Sequence, residues 1–181
     1  MAKRRQVKRM EYDTLLLVGE GESELAFLQH VKTLYVARGS GLKVTIICAH
    51  GKGAAHVVDV AIRKSANTAF NTVAALLDTD TDWSPAVMQR ADKHGVHILR
   101  SEPMFEALML RMHGIQMEGR SSDELKRRFQ DLIQNTGLHS DHYGTHFGPA
   151  VLQQTTEETI RQLLRFLGVN LAWLRPSPHF R

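Results

Sequence analysis

Cysteine is nearly absent from this sequence. Cys48 is the single cysteine among 181 residues, so no disulfide can form within the chain. Chains without disulfides are typical of reducing compartments, and we therefore expect a cytoplasmic protein. Because Cys48 lies in the apolar run Lys43–Ala49, we also expect its side chain to be buried.

Long hydrophobic runs are missing as well. The uninterrupted apolar runs are short, as in Leu15–Val18. A membrane-spanning helix needs about 20 predominantly apolar residues, and a secretory signal needs an apolar region of roughly 7–15 residues. The sequence therefore predicts neither a membrane span nor a signal peptide.

Strong compositional bias is also absent. Hydrophobic residues make up 43% of the chain and charged residues 23%, which is close to average usage and excludes collagen-like, low-complexity and wholly disordered proteins. The 23 basic and 19 acidic residues leave a net charge of +4. Basic residues are concentrated in an N-terminal arm, residues 1–13, which fits either contact with a polyanion or a solvated tail.

Short apolar segments alternate with amphipathic ones along residues 14–100. The patterns predict strands at Thr14–Val18, Lys43–Ala49, Thr72–Leu77 and Val96–Leu99. They predict helices at Glu22–Ala37, Ala54–Ala66 and Pro85–His94, the last capped by Ser84. Strands that alternate with helices imply an α/β protein with an open, mostly parallel sheet flanked by helices.

The second half, residues 101–181, is expected to be a mainly helical extension packed on the same domain. Helical patterns cover Pro103–Met112, the segment after the capping-box spacing of Ser121–Glu124, and Thr156–Leu167. Leu138–Pro149 lacks periodicity, and its Gly144 argues against a helix there. The methionines and Phe105 of Pro103–Met112 are expected to pack in the core rather than to bind a ligand, and this cluster could also contribute to a homodimer contact.

Acidic residues follow two of the predicted strands. Glu20 comes after the first strand, and the series Asp78, Asp80 and Asp82 comes after the third. Ligands bind at the carboxyl ends of strands in open parallel sheets, and hard oxygen ligands suit Mg²⁺ or Mn²⁺. The competing interpretation is structural: Glu22 and Glu24 would stabilise a helix N-terminus, and Asp80 and Asp82 would serve as turn and capping residues.

These residues resemble a known family. Leu15–Glu24 (LLLVGEGESE) and Ala75–Asp82 (ALLDTDTD) resemble the glutamate and DxD motifs of the TOPRIM domain, which occurs in topoisomerases, primases and OLD-type nucleases. The order of elements is also similar over about half of the chain. Ser101–Leu110 (SEPMFEALML) resembles the Ser-Asn-Pro-x-Phe-Glu segment of RloB-like proteins, with Glu102 in place of the asparagine.

The resemblance implies a TOPRIM-like fold and a divalent-metal-dependent nuclease. Glu20 would act as a metal ligand or general acid/base, and Asp78 and Asp80 would form the metal-binding DxD motif. Further candidates for the metal centre are Asp82, Glu24 and Glu106, although a structural role for Glu106 is an equal alternative. The resemblance to RloB-like proteins further implies that the chain cleaves DNA or RNA in bacterial anti-phage defence, with a protein partner such as an ATPase.

Several basic and histidine residues are weaker candidates. Lys52, in Gly51-Lys52-Gly53, would contact phosphate unless these residues form an ordinary glycine turn. A basic helix face would follow a nucleic-acid backbone together with the N-terminal arm, or would simply be solvated. It carries Lys126, Arg127 and Arg128, with Arg120 nearby. A histidine-rich loop carries ligand types for zinc but no complete motif, and a substrate-facing loop is favoured; it contains His139, Asp141, His142 and His146.

Two functions compete with the nuclease interpretation. A noncatalytic TOPRIM module would bind nucleic acid or regulate a partner protein without turnover. A small-molecule phosphohydrolase is the other alternative, because parallel sheets with carboxylates at strand ends host many reactions. A strand-passing topoisomerase is not expected, because these 181 residues are too few for the additional domains that such an enzyme needs.

Overall fold

The computed structural model describes residues 12–80, 82–116, 119–134 and 142–171. In the first half, strands and helices alternate: β1 (Asp13–Gly19), α1 (Glu22–Tyr35), β2 (Leu42–Cys48), α2 (Gly53–Asn67), β3 (Thr72–Asp78), α3 (Pro85–Lys93) and β4 (Val96–Ser101). Helices follow: α4 (Phe105–Arg111), α5 (Ser122–Gln134), α6 (His142–His146), α7 (Pro149–Gln154) and α8 (Glu158–Phe166). Most of the basic N-terminal arm, residues 1–11, lies outside the described residues.

The four strands form one open parallel sheet in the order β2-β1-β3-β4. The predicted α/β class is confirmed, and the sheet is wholly rather than mostly parallel. In the register, Gly19 at the end of β1 lies opposite Cys48 of β2 and Leu76 of β3. Because β1 and β3 are neighbours, the residues that follow them are brought side by side at the carboxyl edge of the sheet.

Helices cover both faces of the sheet. Along β1, Leu15 and Leu17 belong to a core shared with α1 and the helices of the second half, whereas Leu16 and Val18 belong to a core shared with α2 and α3. Successive side chains of a strand point to opposite faces. Burial on both faces therefore explains why the β1 sequence is continuously apolar rather than alternating.

The second half of the chain completes the first of these cores. The Phe27 ring of α1 lies 5.6 Å from Phe105 of α4, 5.6 Å from Tyr143 of α6 and 6.1 Å from Phe147, measured between ring centroids. Met104 and Met109 are also buried there. The expected core packing of Met104, Phe105 and Met109 is thus confirmed.

Three local predictions are wrong. Gly144 lies inside the short helix α6, where burial of Tyr143 and Phe147 outweighs the glycine penalty of about 1 kcal/mol. The helix expected from Pro103 begins at Phe105. Cys48 is only partly buried, because it ends β2 at the sheet edge.

Two other expectations concern the histidine-rich loop and the membrane. His139 and Asp141 lie outside the described residues, so the structure does not address the loop as a whole. No described helix combines the length and the apolar character that crossing a membrane requires.

Candidate metal centre at the carboxyl edge of the sheet

The two predicted acidic motifs meet at the end of the central strands. The Asp78 N–H donates a hydrogen bond of 3.1 Å to Glu20 Oε2, although the two residues are 58 positions apart. Burial raises the pKa of Glu20, and the charges of Asp80 and Asp82 raise it further, against the lowering effect of hydrogen bonds from the backbone of Asp78 and Gly53. Glu20 therefore lies in a crowded acidic environment.

Glu24 and Glu106 lie in the same cluster. Glu24, in the first turn of α1, is 6% exposed, and its Oε2 accepts a hydrogen bond of 3.0 Å from the Gly21 N–H. This contact confirms the predicted role of Glu24 at the helix N-terminus. Glu106 is in the first turn of α4, and its charge raises the pKa values of both Glu24 and Asp78. The two auxiliary candidates are therefore coupled electrostatically to the DxD motif.

The cluster resists full ionisation. Burial raises the pKa of Asp78 to about 8, and the charges of Glu24, Glu20 and Glu106 add to the effect. Burial likewise raises the pKa of Glu24 to about 7, with further contributions from Glu106 and Glu20. Desolvation and like charges both favour the neutral form of a carboxyl group. A bound cation would reverse this balance by compensating the negative charges.

One oxygen of the cluster has no protein partner. Asp78 Oδ1 is buried and makes no hydrogen bond among the described residues. Buried polar atoms are paired in the great majority of cases, so an orphaned carboxylate oxygen calls for an explanation. Its neighbours are carboxylates, and carboxylate oxygens are the ligands that Mg²⁺ and Mn²⁺ prefer. The residues present therefore fit a hard divalent cation.

The turn between Asp78 and Asp80 is tied to the end of β4. The Thr79 N–H donates to the carbonyl oxygens of Ser101, at 3.2 Å, and of Pro103, at 3.1 Å. The Thr79 hydroxyl donates a further bond of 3.3 Å to Ser101 O. Asp80 follows in an exposed position, and its charge contributes to the raised pKa of Asp78. The segment that resembles the RloB-like motif thus holds the DxD turn in place.

Asp82 caps a helix, but not the helix that follows it. Its Oδ1 accepts a bond of 2.6 Å from the Ala54 N–H, and its Oδ2 accepts one of 3.3 Å from the Ala55 N–H, both in the first turn of α2. A Cβ on Gly53, where φ is 81°, would lie 2.6 Å from this carboxylate, so a substitution there would strain the backbone and displace the Asp82 side chain. The following helix, α3, is capped by Ser84 as predicted. The expected location of the Asp82 cap is therefore corrected.

Lys52 lies in an unusual turn at the same edge. His50, Gly51, Lys52 and Gly53 have φ angles of 60°, 78°, 76° and 81°, a left-handed conformation that residues other than glycine seldom adopt. The Gly51 N–H donates a bond of 2.8 Å to Glu20 O, which fixes the turn beside the end of β1. The segment does form a turn, and this turn places the exposed Lys52 at the N-terminus of α2. A phosphate contact by Lys52 stays a prediction.

The predicted basic face on α5 is partly neutralised. Arg120 and Arg128 both pair with Glu124, at 3.3 Å and 3.2 Å. Lys126 and Arg127 are exposed on the same helix. These two side chains remain the better candidates for phosphate contacts, because Arg120 and Arg128 share the carboxylate of Glu124, which compensates part of their charge.

The structure also brings together three residues that sequence reasoning did not combine. In the described part of the chain, only Glu22, Cys48 and His50 place three histidine, cysteine or carboxylate ligand atoms within 4.8 Å of one another. The carboxylates of Glu20 and the DxD motif are spread more widely than this. The available signal was Cys48-x-His50 at the end of a strand that neighbours β1.

The carboxyl edge of the sheet thus carries hard oxygen ligands, an orphaned buried carboxylate oxygen and a turn with an exposed lysine. Such a set can bind a divalent cation and, through it, a phosphate group. No protein-family model, curated protein or solved structure matches this chain.

Proposed function

We propose that the protein is a divalent-metal-dependent nuclease of the TOPRIM, RloB-like type. The hydrogen bond from the Asp78 N–H to Glu20 Oε2 carries the proposal, because it joins the two motifs across 58 residues of sequence. The buried Asp78 Oδ1, which has no partner among the described residues, supports a cation at this point. Glu20, Asp78 and Asp80 would hold Mg²⁺ or Mn²⁺, and Asp82 would orient α2 beside them.

Phosphodiester cleavage is the chemistry that such a centre supports best. A bound divalent cation neutralises nonbridging oxygen charge, lowers the pKa of water and stabilises the leaving oxygen. Glu20 is held in position by the Asp78 N–H. Burial raises the pKa of Glu20, which is the direction that favours a carboxyl group as a general acid/base. Glu20 would therefore serve either as a ligand or as the general acid/base.

The proposed substrate is a nucleic acid, either DNA or RNA. Lys52 is exposed at the carboxyl edge, and Lys126 and Arg127 are exposed on α5. Contacts of such side chains with phosphates are electrostatic and largely independent of sequence. The RloB-like resemblance extends the proposal to bacterial anti-phage defence, with a protein partner such as an ATPase.

The direct test is a cleavage assay on the purified chain. Wild-type protein and Asp78→Ala are incubated with mixed DNA and RNA substrates in Mg²⁺, Mn²⁺ or chelator, and the products are separated on denaturing gels. Asp92→Ala is the matched control, because Asp92 is an exposed aspartate on α3. We expect cleavage that requires the metal and falls about 100-fold or more in Asp78→Ala, with Asp92→Ala unchanged.

The other outcomes separate the competing functions. Metal-dependent cleavage that survives Asp78→Ala contradicts the proposed centre. Salt-sensitive nucleic-acid binding without cleavage supports a noncatalytic or regulatory module. Activity on nucleotides but not on polymers selects a small-molecule phosphohydrolase.

A further inference from the structure

A group of mixed ligand types lies beside the carboxylate cluster, at the ends of β1 and β2. Glu22 is the first residue of α1, Cys48 is the last residue of β2, and His50 follows two positions later. One ligand atom of each lies within 4.8 Å of the other two. His50 Nδ1 and Glu22 Oε1 are 3.5 Å apart. The three side chains come from two turns that are distant in sequence.

The backbone holds these two turns together. The Ala49 N–H donates to Gly19 O at 2.9 Å, and the Gly51 N–H donates to Glu20 O at 2.8 Å. These bonds extend the pairing of β1 with β2 beyond the sheet. His50 lies between them with a φ of 60°. The backbone hydrogen bonds therefore fix the position of His50 beside Glu22, which does not depend on the contact between the two side chains alone.

The donor set favours zinc over magnesium. Thiolate sulfur, imidazole nitrogen and carboxylate oxygen are the ligands of Zn²⁺, at bond lengths of about 2.0–2.3 Å, whereas Mg²⁺ prefers oxygen alone. Tetrahedral ligands at these lengths lie roughly 3.3–3.7 Å apart, and the 3.5 Å between Glu22 and His50 falls in this range. Their side chains are 75% and 77% exposed, which leaves room to close on an ion.

The sulfur atom has contacts that suit a metal ligand. The His50 N–H donates to Cys48 Sγ at 3.3 Å, and hydrogen bonds to a ligand atom orient it and tune the metal. Cys48 Sγ also lies 3.8 Å from the Glu20 carbonyl oxygen, to which the thiol donates. A metal bound at Sγ takes the place of this proton.

We propose that Glu22, Cys48 and His50 bind one Zn²⁺ ion, with a fourth coordination position open to water. The ion would link the turn that carries Glu20 to the turn that carries Lys52. Three protein ligands and one exchangeable position are the arrangement of accessible zinc sites. This site is chemically distinct from the carboxylate cluster and does not depend on the nuclease proposal.

Cobalt substitution in the full-length protein tests the site without an activity assay. Co²⁺ is titrated in the presence of excess Mg²⁺, and the thiolate-to-cobalt charge-transfer band is followed in the near ultraviolet. Because Cys48 is the only cysteine, this band can arise only from its sulfur. We expect one Co²⁺ per chain, displaced by Zn²⁺, and no band in Cys48→Ser.

Glu22 and His50 are exposed, so we expect substitutions of these two proposed ligands to preserve the fold. Loss of an outer-shell partner alone typically costs about 10–100-fold in metal affinity, so we expect His50→Gln and Glu22→Gln each to weaken Co²⁺ binding by at least about tenfold. Asp78→Ala and the exposed-histidine control His94→Gln should bind as wild type does. Circular dichroism verifies that each variant is folded.

Three results would overturn the site. Co²⁺ binding without a thiolate band would place the metal elsewhere. A charge-transfer band that persists unchanged in both His50→Gln and Glu22→Gln would mean that Cys48 is the only one of the three residues that binds the metal. One metal per two chains would indicate a bridge between copies. Cleavage that survives Asp78→Ala would contradict the nuclease proposal but would leave the cobalt result unchanged, so the two proposals fail separately.

Discussion

The two edges of the same sheet satisfy their polar groups in opposite ways. At the amino edge, the Thr14 N–H and hydroxyl each donate to Asn71 Oδ1 at 2.8 Å, and the Asn71 N–H donates to Thr14 Oγ1 at 3.0 Å. All of these groups are neutral and paired. At the carboxyl edge, the Glu20 and Asp78 carboxyl groups lie among other acids, and Asp78 Oδ1 is left without a partner in the described chain.

The neutral groups at the amino edge and the acidic groups at the carboxyl edge have different effects on folding. Neutral reciprocal hydrogen bonds stabilise a fold modestly, by about 0.5–1.5 kcal/mol each. Buried like charges oppose folding, and they persist where a ligand or a reaction uses them. Both edges belong to β1 and its neighbours, so strand type cannot explain the difference. The acidic edge is therefore where we propose that the protein binds its metal and acts.

The largest expected effect comes from substituting Glu20, directly after β1, and Thr14 near the start of β1 serves as the comparison. Glu20→Gln removes a proposed ligand or acid/base, so we expect metal-dependent cleavage to fall about 100-fold or more. Thr14→Val, at the amino edge, should leave cleavage unchanged. Initial rates on the preferred polymer measure both. Equal rates for wild type and Glu20→Gln would remove the functional distinction between the edges.

The second prediction concerns pH and uses metal-free protein. The pKa of Asp78 is about 8 when folded against 3.8 as the ordinary value. Below about pH 4 Asp78 is protonated in both the folded and the unfolded chain and does not lower the free energy of unfolding. As the pH rises from about 4 toward 8, the unfolded chain loses this proton more readily than the folded one, so the free energy of unfolding falls progressively. Asp78→Asn should therefore be more stable than wild type at pH 8 by about 1–3 kcal/mol, and similar near pH 4.

Urea unfolding in chelator at several pH values measures this difference. Asp92→Asn is the exposed control and should follow the wild-type curve. Added Mg²⁺ should restore much of the wild-type stability at pH 8, because a ligand that binds only the folded state stabilises it. Parallel pH profiles for wild type and Asp78→Asn would contradict the account of the acidic edge.

A smaller effect is expected at Asp82. Asp82→Ala removes the acceptor for the Ala54 and Ala55 N–H groups at the start of α2. Loss of a cap typically costs about 0.5–2 kcal/mol in unfolding free energy. Hydrogen exchange should show faster exchange at these two amides. Unchanged protection would mean that the cap is dispensable, and Asp82→Asn, which keeps an acceptor oxygen, is the matched control.

The smallest effect belongs to the amino edge. A double-mutant cycle of Thr14→Val and Asn71→Ala should give a coupling free energy of about 0.5–1.5 kcal/mol. Because both residues are neutral, the coupling should not change with Mg²⁺ or between about pH 4 and pH 8. A coupling free energy that varies with Mg²⁺ or with pH would contradict the proposed difference between the two edges.

Much of the fold could be predicted because its signals are local. The apolar run of β1 and the helical spacing of α1 follow from burial on both sides of a sheet and on one side of a helix. Ser84 caps α3 from an adjacent position, so its role was also visible in the sequence. The expectation that Glu20 and Asp78 would lie at one edge needed only the rule that parallel strands end together.

Other features depend on contacts between distant segments. Asp82 caps α2, which begins 29 positions before it, because the N-terminus of α2 lies beside the DxD turn. Helix α6 forms around Gly144 because Tyr143 and Phe147 reach Phe27 in the core. No local pattern contains the partner in either case.

Periodicity and turn chemistry were thus sufficient for the strands, most helices and the acidic strand ends, since these depend on the free energy of burying one local face. Only the tertiary structure decided which side chains became neighbours: the orphaned Asp78 oxygen, the coupling of Glu24 with Glu106, and the meeting of Glu22, Cys48 and His50. The physical reason is that desolvation, charge repulsion and ligand geometry depend on distances in space, which sequence separation does not specify.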